Sequence, residues 1–173
     1  GGGVNPNDIS LGINVPKATA IADIAAARRD YLDETGGRYV HILADGLLNN
    51  AGDIAKAIAC GADAVVLGPL LAQAEEAAAR GRFWPSVAGH PSFPRGFVEI
   101  YSDPVLELGA VDEAEEWDPT AVVLQNFPLE VVLHGPSSDP LGRQNLVGGL
   151  RRAMAKCGYT DLKAFQKVDL AVR

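Results

Sequence analysis

Cysteine is nearly absent: Cys60 and Cys157 are the two in 173 residues. Two thiols cannot build a disulfide scaffold, and their scarcity points to a reducing compartment, so a cytoplasmic protein is expected. Long apolar runs are missing as well. Lys17, Asp23 and Asp63 interrupt every stretch that approaches the roughly 18 residues a membrane span requires, so no membrane partner is expected. The Gly-rich start has no basic-then-apolar pattern, and no secretory leader is expected from it. Positive charge is in deficit: 15 Lys and Arg against 22 Asp and Glu leave a net charge of −7. Such a chain gains nothing from counterion release, which excludes a general nucleic-acid binder. What is present, 47% hydrophobic and 21% charged residues, suits one soluble globular domain.

The charges are unevenly placed. Residues 1–98 carry 8 bases and 10 acids, residues 99–142 no base and 10 acids, and residues 143–173 carry 7 bases and 2 acids. The acid block, with Glu113, Glu115, Glu116 and Asp118, reads as a solvated loop. A basic tail facing it could also help one subunit dock on another.

The first hundred residues alternate strand and helix signals. Leu11 to Val15 is a short extended piece stopped by Pro16. Ala18 to Glu34 is rich in alanine and free of glycine and proline, so it reads as a helix ended by Gly36-Gly37. Tyr39 to Ala44 is a short, partly β-branched apolar run and reads as a buried strand in which His41 is packed. Asn50 stands three residues before Asp53, a capping-box-like start for a helix from Ala51 to Cys60 that Gly61 closes. Ala64 to Leu67 is a second buried strand, and Gly68-Pro69 turns the chain into an Ala-rich helix from Leu70 to Arg80. Neither strand alternates polar with apolar residues, so both faces are expected to be covered. Two such units read as parallel βα repeats, whose chemistry lies in the loops leaving the strands, here Ala44-Asp45-Gly46 and Gly68-Pro69.

From Phe83 to Pro140 frequent prolines and glycines disfavour regular helix. Phe97 to Tyr101 and Ala121 to Gln125 read as strands, and Leu129 to Leu133 as a segment of open type. Asn145 to Lys156 is a helix with Leu146, Leu150 and Met154 along one face; Gly158 stops it and Thr160 caps a last short helix. The chain thus divides into residues 1–82 with the βα units, a Pro/Gly-rich acidic insertion or flap at 83–142, and C-terminal helices at 143–173.

Ala44-Asp45-Gly46, Gly52-Asp53-Ile54-Ala55-Lys56-Ala57 and Gly61 to Gly68 together resemble the core of the IMP dehydrogenase/GMP reductase family. Leu146-Val147-Gly148-Gly149-Leu150-Arg151 with Cys157-Gly158 is similar to that family's C-terminal helix. Ala18 to Asp23, Arg28 to Val40, His90-Pro91, Pro94-Arg95-Gly96 and Gly158 to Lys163 resemble its actinobacterial IMP dehydrogenase-related branch. The resemblance implies an α/β fold that is the C-terminal portion of a TIM (β/α)8 barrel, with a C-terminal extension of loops, short strands and helices. A whole barrel takes roughly 250 residues, so this chain supplies the loop after the sixth strand, two βα units and the extension. The free edge of Tyr39–Ala44 then belongs to a fragment of a longer chain, or to a sheet completed by a partner.

The family reaction, as the resemblance implies, oxidises inosine monophosphate at C2 with NAD, through a cysteine thiolate that follows a Gly-Ser pair. Counting back without gaps from Val15-Pro16 puts Gly2 and Gly3 on that pair and Asn5 on the cysteine; a shift of one offers Val4. Neither residue can form a thioimidate. Cys60 is expected near the barrel's bottom as a small buried residue, and Cys157 in a structural place at a helix end. Asp45 matches an aspartate that accepts hydrogen bonds from the ribose hydroxyls, and it also suits a loop cap. Gly46 and Gly68 match glycines whose N–H groups approach the phosphate. The family's second glycine is here Leu47, which adds bulk. Its serine after Gly68 is here Pro69, which lacks both N–H and hydroxyl. The catalytic water of the family is activated by a flap arginine, for which Arg95 is the nearest loop candidate; it also reads as a surface arginine. His90 and His134 form no metal-ligand spacing, so no metal is expected, and neither a G-x-x-x-x-G-K-[ST] nor a G-x-G-x-x-G sequence occurs.

Two readings follow. The first is the C-terminal part of an IMP dehydrogenase-type oxidoreductase of purine nucleotide metabolism, dependent on NAD, inactive alone and a homo-oligomer in its full-length form. The second is a catalytically silent domain that binds a purine nucleotide monophosphate or serves assembly. Asn5, Leu47 and Pro69 favour the second for this chain in isolation.

Overall fold

The computed structural model describes residues 12, 15–46, 48–83, 99–100 and 125–171. Helix α1, Lys17–Glu34, begins after Pro16, whose carbonyl accepts the Ala20 N–H at 3.0 Å. It stops at the expected glycines, with Gly37 N–H reaching back to Leu32 O at 2.9 Å. Only Ile21 and Ala25 of α1 are buried, while Ile24 is 53% exposed.

Strands β1 (Leu43–Ala44) and β2 (Ala64–Val65) are parallel, pairing Leu43 with Ala64 and Ala44 with Val65. Between them lies helix α2, Ala51–Ala59. Asn50 Oδ1 accepts the Asp53 N–H at 3.0 Å and Asp53 Oδ2 accepts the Asn49 N–H at 3.0 Å. These two bonds hold donors at the helix start that have no intrahelical partner. Ala55, Ala57, Ile58 and Ala59 of α2 are buried in one core cluster with Ile21 and Ala25 of α1. Ala51 and Ile54 are buried in a second, with Leu70, Val132 and Leu146.

The ladder is shorter than the apolar runs suggest. Asp63 N–H donates to Ile42 O and Val66 N–H to Ala44 O, both at 2.8 Å, and pairing stops there. Tyr39 to His41 lie ahead of the paired stretch. His41 is accordingly not packed: its side chain is 73% exposed, edge-on to the Tyr39 ring. Alternate residues along β1 explain the burial. Ile42 and Ala44 face a core of Ile21, Ala25, Ala55, Ile58, Ala62, Met154 and Phe165. Leu43 and Val66 point the other way and are 62% and 43% exposed. Within the described residues, therefore, one face of the sheet is covered and the other is bare, not both covered as expected. This is the arrangement of a barrel wall with helices outside and an apolar interior surface.

The expected helix from Leu70 to Arg80 does not form. A 3-10 turn, Pro69–Gln73, is followed by Ala74 in extended conformation, bridged in parallel to Phe127. Glu75 N–H donates to Phe127 O at 2.8 Å, and the buried Gln73 amide donates to Leu70 O and Arg143 O. These tertiary bonds satisfy backbone groups that a helix would otherwise use, and they override the alanine propensity. Strand β3 (Arg82–Phe83) pairs antiparallel with β4 (Glu99–Ile100), inside the run expected from Phe97 to Tyr101. The segment of open type resolves as helix α3, Leu129–His134, anchored by Val132 at 0% exposure. Of the strand expected at Ala121 to Gln125, all but Gln125 lies outside the described residues, and Gln125 is not in a strand.

Helix α4, Leu146–Lys156, buries Leu146 and Met154 and packs Leu150 into both core clusters, as its spacing predicts. It crosses α2 so closely that a Cβ on Gly149 would stand 2.3 Å from Ala51 Cβ, so only glycine fits there. Helix α5, Leu162–Phe165, is capped not by Thr160 but by Asp161, whose carboxylate accepts the Ala164 N–H at 2.8 Å. Asp sits in the extended N-cap geometry one residue later, and its ionised oxygen is the stronger acceptor.

One carboxylate ties α5 to the N-terminal ends of the strands. Asp63 accepts from Ile42 N–H at 2.9 Å, Arg28 Nη1 at 2.5 Å, Tyr39 Oη at 2.5 Å, Lys163 Nζ at 3.3 Å and Gln166 Nε2 at 3.3 Å. Lys163 Nζ also donates to Tyr39 Oη at 2.6 Å.

Candidate functional site

The parallel register sends both site loops out at the same end of the sheet. Asp45 follows Ala44, whose partner is Val65, and Gly68 comes three residues after Val65. Asp45 is exposed, and its Oδ1 accepts the Gly46 N–H at 2.6 Å, while Oδ2 makes no hydrogen bond among the described residues. Gly46 has φ +111, a conformation that disfavours any side chain. Its N–H is engaged by the neighbouring carboxylate, so an anion reaching it must displace Asp45. Gly68 differs. Among the described residues, its chain neighbours aside, no heavy atom lies within 4 Å of where its Cβ would stand, and its carbonyl accepts the Leu71 N–H at 3.0 Å. Gly2, Gly3, Asn5, Leu47, His90 and Arg95 lie outside the described residues.

Beside Gly68 opens a cavity of about 300 Å³, lined by Leu71, Ala72, Ala77 to Ala79, Arg82 and Phe83. Sequence reasoning missed Arg82, because a helix ending at Arg80 would carry it away from this loop. A smaller cavity of about 140 Å³ lies where α1 and α2 begin, with Lys17, Leu48, Asp53 and Lys56 on its walls. There Lys56 Nζ meets Asp53 Oδ1 at 2.7 Å. Burial pulls the Lys17 ammonium below its ordinary range, partly offset by the charges of Asp53 and Asp45. Burial would raise Asp53, but the Lys56 hydrogen bond and the Asn49 N–H outweigh it and hold the carboxyl below the usual range.

The cysteines stand apart from this end. Cys60 is the C-cap of α2, half-buried, and burial pushes its thiol up, away from the thiolate that nucleophilic chemistry needs. Cys157 is exposed at the C-terminal end of α4, where its backbone N–H, not its thiol, closes the helix through Ala153 O and Met154 O. Among the described residues no group of three His, Cys, Asp or Glu side chains is placed to hold a metal ion, and no helix is long and apolar enough to cross a membrane.

The IMP dehydrogenase/GMP reductase domain model matches residues 1–173. An uncharacterised oxidoreductase of Mycobacterium tuberculosis is 59% identical over 170 residues, covering 98% of this chain and 40% of its own length. An inosine-5'-monophosphate dehydrogenase of Methanocaldococcus jannaschii is 33% identical over 177 residues, covering 95% of this chain and 33% of its own. The crystal structure of an IMP dehydrogenase/GMP reductase-like protein from Corynebacterium glutamicum superposes with a TM-score of 0.79 at 58% identity, covering all of this chain and 41% of that one. The chain thus spans about two-fifths of the length of the mycobacterial and corynebacterial relatives. Its elements are the C-terminal portion of a TIM barrel, with the two site loops at the face where such barrels hold their chemistry. By the match over residues 1–173 and by fold, the chain belongs to the IMP dehydrogenase/GMP reductase family.

Proposed function

We propose that this chain is the nucleotide-holding C-terminal part of an IMP dehydrogenase-type oxidoreductase, and that it is silent on its own. One observation carries the reading: the Asp45 and Gly68 loops leave adjacent parallel strands at the same end. Asp45 offers a carboxylate oxygen with no hydrogen bond among the described residues, an acceptor for the paired hydroxyls of a ribose. Gly68 offers open backbone beside a cavity for the phosphate. The ligand class is a purine nucleotide monophosphate. The oxidation of inosine monophosphate, with NAD taking the hydride, is assigned to the whole protein. Both described loops are given to the nucleotide monophosphate, and none of the described residues is assigned to a nicotinamide dinucleotide. No redox step is therefore assigned to this chain, in keeping with Asn5 at the position that matches the family's cysteine.

Calorimetric titration of the purified chain with inosine monophosphate tests the reading, repeated with Asp45→Ala. Binding that weakens about tenfold or more in the variant is expected from losing a charged acceptor. Heat that the substitution leaves unchanged would remove Asp45 as a ribose ligand. NADH formation from inosine monophosphate and NAD by the chain alone would show that the silent reading is wrong.

A further inference from the structure

We propose that Arg82 grips the phosphate of the bound nucleotide, restoring charge and donors to a loop that Pro69 has weakened. The inference rests on the nucleotide reading above and adds to it a residue, a cavity and a ligand group. Gly68 and Arg82 are 14 positions apart, yet they line one cavity of about 300 Å³. They meet because the expected helix after Gly68 is interrupted: the 3-10 turn ends at Gln73, Ala74 bridges to Phe127, and the chain returns through Gly81 into β3. Gly81 N–H donates to Ala72 O, which fixes the start of β3 against the turn that follows Gly68. Pairing of Arg82 with Ile100 and of Phe83 with Glu99 holds that strand in register.

The cavity's chemistry is lopsided in a useful way. Leu71, Ala72, Ala77, Ala78, Ala79 and Phe83 give it apolar, mostly small walls, and Arg82 is the one charged residue among the described residues that line it. A planar guanidinium donates in pairs to phosphate oxygens. Among the described residues outside its two chain neighbours, nothing lies within 4 Å of where a Gly68 Cβ would stand. Pro69 offers the phosphate neither a hydroxyl nor an N–H, so a binding site on this loop needs a donor from elsewhere, and Arg82 is the basic residue that the fold brings to it.

The test compares inosine monophosphate with inosine, which lacks the phosphate, by calorimetry on the full chain, together with Arg82→Met and Arg82→Lys. Arg82→Met should weaken inosine monophosphate about 10- to 100-fold, the range for lost charge-assisted hydrogen bonds, and leave inosine unchanged. Arg82→Lys should recover part of the loss, since a point charge remains without the fork. Asp45→Ala should weaken both ligands. Equal binding of inosine monophosphate by wild type and Arg82→Met would overturn the assignment while leaving the Asp45 result standing. Parallel weakening of inosine by Arg82→Met would overturn it too, by showing a structural role, and thermal unfolding of the variant checks that role directly. Failure of the wild-type chain to bind either ligand would overturn this inference and the nucleotide reading together.

Discussion

Replacing Asp63 by asparagine removes one charge from the junction of both strands, α1 and α5. Five donors converge on this carboxylate, and it is 11% exposed, with its partner Arg28 at 12%. Burial by itself would raise the Asp63 carboxyl, but hydrogen bonds from Tyr39, the Ile42 N–H, Gln166 and Lys163 outweigh it and hold the group well below the usual carboxylate range. Breaking a buried ion pair by removing one partner costs about 3–5 kcal/mol. The substituted amide still accepts an N–H, and Lys163, with its side chain 66% exposed, regains water. The expected loss is therefore about 2–4 kcal/mol at neutral pH, read from urea unfolding of the two proteins. The sign with pH follows from linkage. A carboxyl depressed in the folded state stabilises above its unfolded value, near 3.8, and loses that contribution as pH falls toward the folded value. The gap between wild type and Asp63→Asn should be flat from about pH 5 to 8 and narrow below about pH 4, because the other acids titrate alike in both proteins and cancel. A gap unchanged at about pH 3, or one under about 0.5 kcal/mol at neutral pH, would refute the reasoning.

Gly149→Ala puts a methyl group 2.3 Å from Ala51 Cβ, so α4 must move off α2. A loss of about 1–3 kcal/mol in chemical denaturation is expected, and a variant as stable as wild type would show that the crossing is looser than described. The two thiols should react unequally with a disulfide reagent near neutral pH: exposed Cys157 quickly, and half-buried Cys60, its thiol raised by burial, slowly. Two equivalents reacting at one rate would contradict that placement.

Helices α1, α2, α4 and α5 and the parallel strand pair were legible because their signals are local, whereas the type of α3 was left open. Alanines without glycine make α1, and Asn50 with Asp53 starts α2 whatever surrounds them. The course of residues 70–80 was not legible, because the bonds that decide it come from Phe127 and Arg143, more than fifty positions away. His41 departs from expectation for a related reason. An apolar run predicts that a strand is buried, but only a neighbouring strand covers its edge, and Tyr39 to His41 precede the pairing with β2. The site was half legible. Asp45 and Gly68 follow the two strands in sequence, so any parallel pairing puts them together. Arg82 has no such local mark and reaches Gly68 only through the interrupted helix. Asp63 reads in sequence as part of a family-like run, yet its partners range from 21 to 103 positions away, a distance at which spacing carries no signal.

The two ends of the sheet are built to opposite rules, and the difference bears on function. At the N-terminal end a part-buried carboxylate collects donors from α1, α5, the segment leading into β1 and the residue after α5, so its charge is spent on holding distant parts of the chain together. At the C-terminal end Asp45 is exposed and bonded to the adjacent residue, while Gly68 borders open space and a cavity. A polar group that does little for the fold can serve a ligand at small cost, since binding then disrupts no long-range structural bond. Substitution of Asp45 should therefore change affinity with small effect on unfolding, and Asp63→Asn the reverse. Sites at opposite ends of the sheet that share no partner should also combine additively. An Asp45→Ala, Asp63→Asn double variant that departed from the sum of its single effects by more than about 0.5 kcal/mol in stability would mean that the two ends are coupled through β1 and not independent.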